Sequence, residues 1–221
     1  MERTELIALS DPGSLVVEAY RNVRSSIHAA GADMRVVEIT GVVPDEEKSV
    51  FTANIAIVMA QAGKKVLLID CDFIHPMQHA LFQLENCGLF EAVNSDSEVG
   101  AFCQPTKQTR LSLLTAGVMA LPDLLSSERF PEMLEGLKKD YDYILLDAPA
   151  LLASADALAA AVCADGVVLV IESGKEDPKT VRLAKKRLEQ AKAHVLGCVL
   201  NSVKVDDRYD ELYRMRGAIL Q

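Results

Sequence analysis

A chain of 221 residues, half of them hydrophobic, carries enough apolar material for one sizeable core, and this excludes an intrinsically disordered chain. The formal net charge of −9 argues against non-specific nucleic-acid binding. No apolar run is long enough to span a bilayer, the opening Met1-Glu2-Arg3-Thr4-Glu5 is not a signal peptide, and the five cysteines form no CxxC pair, so a cytoplasmic protein with reduced, mostly buried thiols is expected.

The first predicted element is a helix with Pro12 in its first turn. Asp11 is its expected cap, and its pattern runs to about Ala30, before Gly31. An apolar strand over 36–40 follows, then a helix over 50–62 and a strand over 65–70. A short helix is expected over 76–82. The stretch 93–110 is the most polar and least periodic, and reads as a surface excursion before the strand at 111–115. Then come a helix over 126–139, a strand over 143–147, a helix over 154–164, a strand over 166–171, a helix over 178–192 and a strand over 195–200. Residues 202–221 are charged and weakly patterned, and read as a tail or a short terminal helix. Continuous apolar strands alternating with helices predict an α/β fold: one domain with a mostly parallel central sheet and helices on both faces.

The chemistry begins at Pro44-Asp45-Glu46-Glu47-Lys48-Ser49-Val50, between the first strand and the helix after it. That is the setting of a phosphate-binding loop, with Lys48 where the phosphate lysine belongs and Ser49 where the Mg²⁺ hydroxyl belongs. Two further strands end in acids: Val66 to Asp70, followed by Asp72, and Tyr143 to Asp147. Ligands of open α/β sheets bind beyond the carboxyl ends of the strands, so Lys48, Asp70, Asp72 and Asp147 are expected to converge. A lysine for phosphate and carboxylates for Mg²⁺ are what phosphoryl transfer requires. His75 and His79 form an i, i+4 pair with no evident third ligand, and no metal is expected there.

These residues resemble the cytoplasmic kinase domain of bacterial tyrosine kinases (BY-kinases) of capsule and exopolysaccharide synthesis, in the deviant P-loop class that also holds the division-site and partition ATPases. The resemblance covers about residues 12–202. It rests on Ile69-Asp70-Cys71-Asp72 with Pro76 and His79, on Tyr141 to Pro149, on Leu121 to Ser127, on Asp156-Ala157 and on Gly197 to Asn201. It extends to the leading helix, where Glu18, Arg21 and Arg24 fit an E-x-x-R-x-x-R pattern that partition ATPases lack. Charges three apart share a helix face. In the family that face, within residues 1–31, packs on a neighbouring subunit and builds a ring. The resemblance implies ATP or ADP with Mg²⁺ as cofactor. Lys48 would contact the β/γ-phosphates, with Pro44, Glu47 and Val50 in the loop beside it. Ser49 and Asp70 would hold Mg²⁺ with Asp147 in its outer shell. Asp72 would act on a tyrosine hydroxyl as general base or orienter. Asn201 would contact adenine or cap the last strand. It also implies a membrane polysaccharide co-polymerase as partner, a place on the inner face of the cell membrane, and phosphate acceptors on the tail, here Tyr209 and Tyr213.

Three departures set this chain apart from the family pattern P-G-x-G-K-S-T. Asp45 and Glu47 stand at the two glycine positions, Val50 replaces a hydroxyl residue, and the tail has two tyrosines rather than a cluster. A carboxylate about 4 Å from a phosphate oxygen costs on the order of 1 kcal/mol in water and several at lower effective dielectric. Any requirement for φ > 0 would add roughly 1–2 kcal/mol per residue. The sequence therefore points to a regulatory scaffold with impaired phosphotransfer. The alternatives are an active tyrosine autokinase and a partition-type ATPase, the latter disfavoured by Glu18-Arg21-Arg24 and by Pro76 with His79.

Overall fold

The computed structural model describes residues 6–95, 97–119 and 123–203. In chain order the elements are α1 (Ile7–Ser10), α2 (Leu15–Ala29), β1 (Val36–Gly41), α3 (Glu46–Gln61), β2 (Val66–Asp70), α4 (Gln78–Phe82), α5 (Leu89–Val93), a 3₁₀ turn (Val99–Phe102), β3 (Gln104–Pro105), β4 (Leu111–Leu114), α6 (Arg129–Leu137), β5 (Tyr143–Asp147), α7 (Ala155–Cys163), β6 (Gly166–Glu172), α8 (Pro178–Gln190) and β7 (Val195–Asn201). The strands form one sheet in the order β3-β4-β2-β5-β1-β6-β7. Every pairing is parallel except β3 with β4. Among the described residues no helix is long and apolar enough to cross a membrane.

Side-chain alternation divides the core across the sheet. Val37, Ile39, Leu68 and Leu145 point to the face covered by α1, α2 and α3. Val36, Leu67, Ile69, Ile144 and Leu146 point to the face covered by α6 and α7, where Phe130, Leu134 and Ala160 meet them. Toward β6, Val167 and Leu169 pack on Ala157, Ala161, Ala184 and Leu188 of α7 and α8. The helix α3 is buried at every position from Lys48 to Ala60. A helix enclosed on all sides shows no amphipathic stripe. The reason here is that α1 and α2 lie over it: Asn54 Oδ1 accepts from Ala8 N at 2.9 Å, Gln61 Nε2 donates to Ala8 O at 2.8 Å, and the Tyr20 and Phe51 rings stand 5.5 Å apart.

Several boundaries differ from the sequence expectation. The leading helix begins at Leu15 rather than near Pro12, and Ser14, not Asp11, caps it by accepting from Val17 N. The helix after β1 begins four residues earlier than its apolar pattern, because Asp45 caps it. The excursion before β4 holds β3, and α5 stands just ahead of it, packed under Leu114 and Leu125 through Leu89. The cysteines are all free, but only Cys71 is fully buried; Cys198 is exposed because β7 is an edge strand. The tail tyrosines Tyr209 and Tyr213 and the Leu121-Pro122 dipeptide lie outside the described residues.

Candidate functional site

The carboxyl ends of β1, β2 and β5 meet at one place. Asp70 and Asp147 are register partners across β2 and β5, and Ile39 of β1 pairs with Asp147 on its other side. The chain leaves β1 at Gly41, turns, and enters α3 at Glu46. Lys48 and Ser49 thus come back over the ends of the strands that carry the two acids.

Lys48 is 4% exposed, and its ammonium turns inward. It donates to Asp147 Oδ1 and, at 3.2 Å, to Ser49 Oγ. Thr52 Oγ1 donates to the same Asp147 oxygen at 3.2 Å, while Gln78 Nε2 donates to Asp147 Oδ2 at 2.7 Å and to Ser49 O at 2.9 Å. The Asp147 carboxylate is therefore surrounded by the chain's own donors. Asp70 accepts from the Asp72, Met77 and Gln78 amides at 3.0–3.2 Å. Its burial, with the Asp147 charge beside it, nevertheless pushes its pKa up to about 8. Asp72 is bound into its own turn, accepting from Ile74 N and His75 N.

The loop face is different. Asp45 is extended (φ −154°), and its Oδ1 accepts from Glu47 N at 2.7 Å, so one of the amides in the first turn of α3 that have no partner within the helix is taken by the chain itself. Neither Asp45 nor Glu47 has positive φ, so the steric cost considered for the acids at glycine positions is not incurred. Asp45 Oδ2 also holds Lys175 Nζ at 2.8 Å, and Lys175 pairs with Glu172 at 2.5 Å. Ser202 Oγ donates to Glu47 Oε2. Carboxylate oxygens of Asp45, Glu47 and Glu172 lie within 4.8 Å of one another. Burial and then the hydrogen bond with Asp45 raise the Glu172 pKa above the usual carboxylate range. For Asp45, burial is outweighed by hydrogen bonds from Glu172, Lys175 and the Glu47 amide, and its pKa falls.

An open pocket runs beside this loop, bordered by Gly41, Val43, Asp45, Glu47, Lys48, Val170, Glu172, Glu176 and Asn201. Asn201 thus reaches the site with Glu47 and Lys48, whereas Ser49, Asp70, Asp72 and Asp147 are not on the pocket wall. Pro44 is exposed and Val50 buried, neither on that wall. The oxygen-only set of Ser49, Asp70 and Asp147 suits a hard cation such as Mg²⁺. The loop does not suit nucleotide phosphates: its Glu47 amide is already bonded, and Asp45, Glu47, Glu172 and Glu176 line the approach.

Sequence reasoning missed Gln78, Thr52, Glu172, Lys175 and Ser202. Glu172 was within reach, since β6 is an apolar strand that ends in an acid exactly as β2 and β5 do. Gln78 carries no comparable local signal. Away from the sheet ends, Arg21 pairs with Glu18 at 3.1 Å and donates to Pro12 O at 2.8 Å, whereas Arg24 reaches inward to Val58 O at 3.0 Å.

Residues 41–194 match the AAA domain family. Over 205 residues the chain is 40% identical to "Tyrosine-protein kinase YwqD" of Bacillus subtilis (strain 168), a match spanning 90% of this chain and 86% of that protein. It is 30% identical over 214 residues to "Succinoglycan biosynthesis transport protein ExoP" of Rhizobium meliloti (strain 1021), spanning 93% of this chain but 27% of that longer protein. The solved kinase domain of Escherichia coli tyrosine kinase ETK superposes with a TM-score of 0.83 at 30% identity, over 91% of this chain and 83% of that one.

Proposed function

The chain belongs to the bacterial tyrosine kinase family, and from that premise we propose that it serves capsule or exopolysaccharide synthesis as a regulatory scaffold whose phosphotransfer is impaired. The observation that carries this reading is the state of the loop. Asp45 bonds the α3 amide that a phosphate would need, and Lys48 is paired with Asp147. In this reading the chain is a single domain. Its N-terminal helix region (1–31) associates with a second copy through Glu18, Arg21 and Arg24, and residues 202–221 are its tail. It works at the inner face of the cell membrane through a membrane co-polymerase. Titration calorimetry with Mg-ADP tests it: Asp45→Gly with Glu47→Gly is expected to bind at least tenfold more tightly than the parent. Equal affinities in the low micromolar range would overturn it.

A second reading, a slow autokinase, is favoured by the presence of Lys48, Ser49, Asp70, Asp72 and Asp147 around the same strand ends. Its acceptors would be Tyr209 and Tyr213. Phosphate mapped to them by mass spectrometry after incubation with Mg-ATP, and lost in both Lys48→Ala and Asp72→Ala, would establish it. Absence of such phosphate leaves the scaffold.

A further inference from the structure

Two neighbouring helices, α7 and α8, present an outward face that neither the strand ends nor the core accounts for. In α8 the buried positions are Ala184 and Leu188, with Val181 partly covered, and they share a core with Ala157 and Ala161 of α7 and with Val167 and Leu169 of β6. At about 3.6 residues per turn, the opposite side of α8 carries Lys179, Arg182, Leu183 and Lys186, all exposed and none of them acidic. Glu189 stands on the flank, where Lys185 pairs with it at 3.5 Å. The 13 residues of α8 hold five of the chain's 23 basic residues and one of its 32 acidic ones, so the cations are concentrated here in a chain of net charge −9. The same construction in α7 buries Ala157, Ala160 and Ala161 and leaves Ala155, Ala159 and Val162 on the outer side, with no charge among them. Arg187 Nη1 of α8 donates to Leu151 O, just ahead of α7, at 3.0 Å and ties the two helices side by side. Val162 is 63% exposed and Leu183 48%. An apolar row thus runs beside a basic one.

We propose that the α7–α8 face binds an anionic phospholipid surface directly, with Lys179, Arg182 and Lys186 at the headgroup phosphates and Val162 and Leu183 entering the boundary between headgroups and acyl chains. The inference goes beyond the function proposed above, which reaches the membrane through a partner, and does not depend on it. Single exposed apolar residues are ordinary on protein surfaces; the combination with an acid-free basic row is what selects the occupant. A nucleic-acid backbone would meet the cations but leave the apolar row against water. An apolar protein surface would meet that row but desolvate the cations without partners. A bilayer boundary accepts both rows, because binding there grows with the apolar area buried and with the attraction to anionic headgroups. The chain's overall negative charge opposes this weakly, since charges further off than about 8 Å are largely screened at physiological salt.

The test uses the full chain with vesicles of phosphatidylglycerol and phosphatidylcholine, beside vesicles of phosphatidylcholine alone. The parent is expected to co-sediment with the first and not with the second, and less so as salt is raised. Each basic residue at an anionic surface contributes roughly a factor of five in partitioning, so Lys179→Gln with Arg182→Gln and Lys186→Gln should bind about a hundredfold more weakly. Val162→Ser with Leu183→Ser should also weaken binding while keeping its dependence on salt. The chain has no tryptophan, so Leu183→Trp supplies a local reporter in an otherwise unaltered protein. Its emission is expected to shift to the blue on anionic vesicles, whereas that of Val16→Trp, at a position 46% exposed on α2 across the sheet, should not move. Equal sedimentation of the parent and the triple glutamine variant, or equal shifts from the two tryptophans, would overturn the inference. So would a parent that ignores the anionic vesicles, whether the glutamine variant then loses affinity for a DNA duplex or the serine variant dissociates paired copies in light scattering.

Discussion

At the scale of single residues, the most unusual group outside the site is Glu38. It lies in the central strand β1, is fully buried, and neither carboxylate oxygen has a hydrogen-bond partner. Burial holds its pKa well above the ordinary value of 4.5, with only the Lys48 charge acting against it. The folded protein therefore keeps a proton that the unfolded chain releases above about pH 4.5. The associated stability is complete below that pH and is lost as pH rises toward the folded pKa, at up to about 1.4 kcal/mol per unit. Asp70 acts in the same direction up to about pH 8. Glu38→Met is accordingly expected to exceed the parent in urea-unfolding free energy at pH 8, with the gap narrowing toward pH 5. Parallel stability profiles for parent and variant would contradict this account. Nothing in the local sequence Val36-Val37-Glu38-Ile39-Thr40 separates such a buried acid from one that faces solvent, because the distinction depends on α6 and α7 covering that side of the sheet.

At the scale of elements, α3 is the hub. It lies against β1, β2, β4 and β5 on one side and under α1 and α2 on the other. Its apolar run was legible, but its true start was not, because the residues that cap it are the same acids that stand in the loop. Asn54 shows how the layers are joined. Its Nδ2 donates to Val50 O at 2.9 Å and its Oδ1 receives Ala8 N, both in the interior. Asn54→Ala leaves the Ala8 amide without its partner, at a cost of about 1–3 kcal/mol. Denaturant unfolding should show that loss, and hydrogen exchange should show faster opening of Ala8 than of the β2 and β5 amides. Uniform exchange rates across α1 and the sheet would mean that α1 is held by other contacts.

At the scale of the whole molecule, the charged face of α2 is the feature on which the proposed assembly turns. The structure separates its members: Arg24 is tied to α3 through Val58 O, while Arg21 and Glu18 pair near the surface. Arg21→Ala is therefore the clean probe of association. It is expected to shift the particle toward monomer in light scattering with little loss of stability, because partly exposed pairs contribute about 0–1 kcal/mol. Arg24→Ala should weaken both assembly and fold. A parent that stays monomeric at high concentration, with nucleotide and membrane partner present, would rule out the interface.

The sequence by itself determined the class of fold, the alternation of strands and helices, the convergence of Asp70 and Asp147, and the family. Each is written in local periodicity or in contiguous motifs, and strand-end acids must meet once the strands are parallel neighbours. The tertiary structure alone decided what those residues do together. Lys48 points at Asp147 because Thr52 and Gln78 hold that carboxylate from elements 95 and 69 residues away. Asp45 is both a helix cap and a partner of Lys175, 130 residues distant. Contacts of that span leave no periodic trace in a single chain, since each depends on which side chain a distant loop delivers to the same few ångströms.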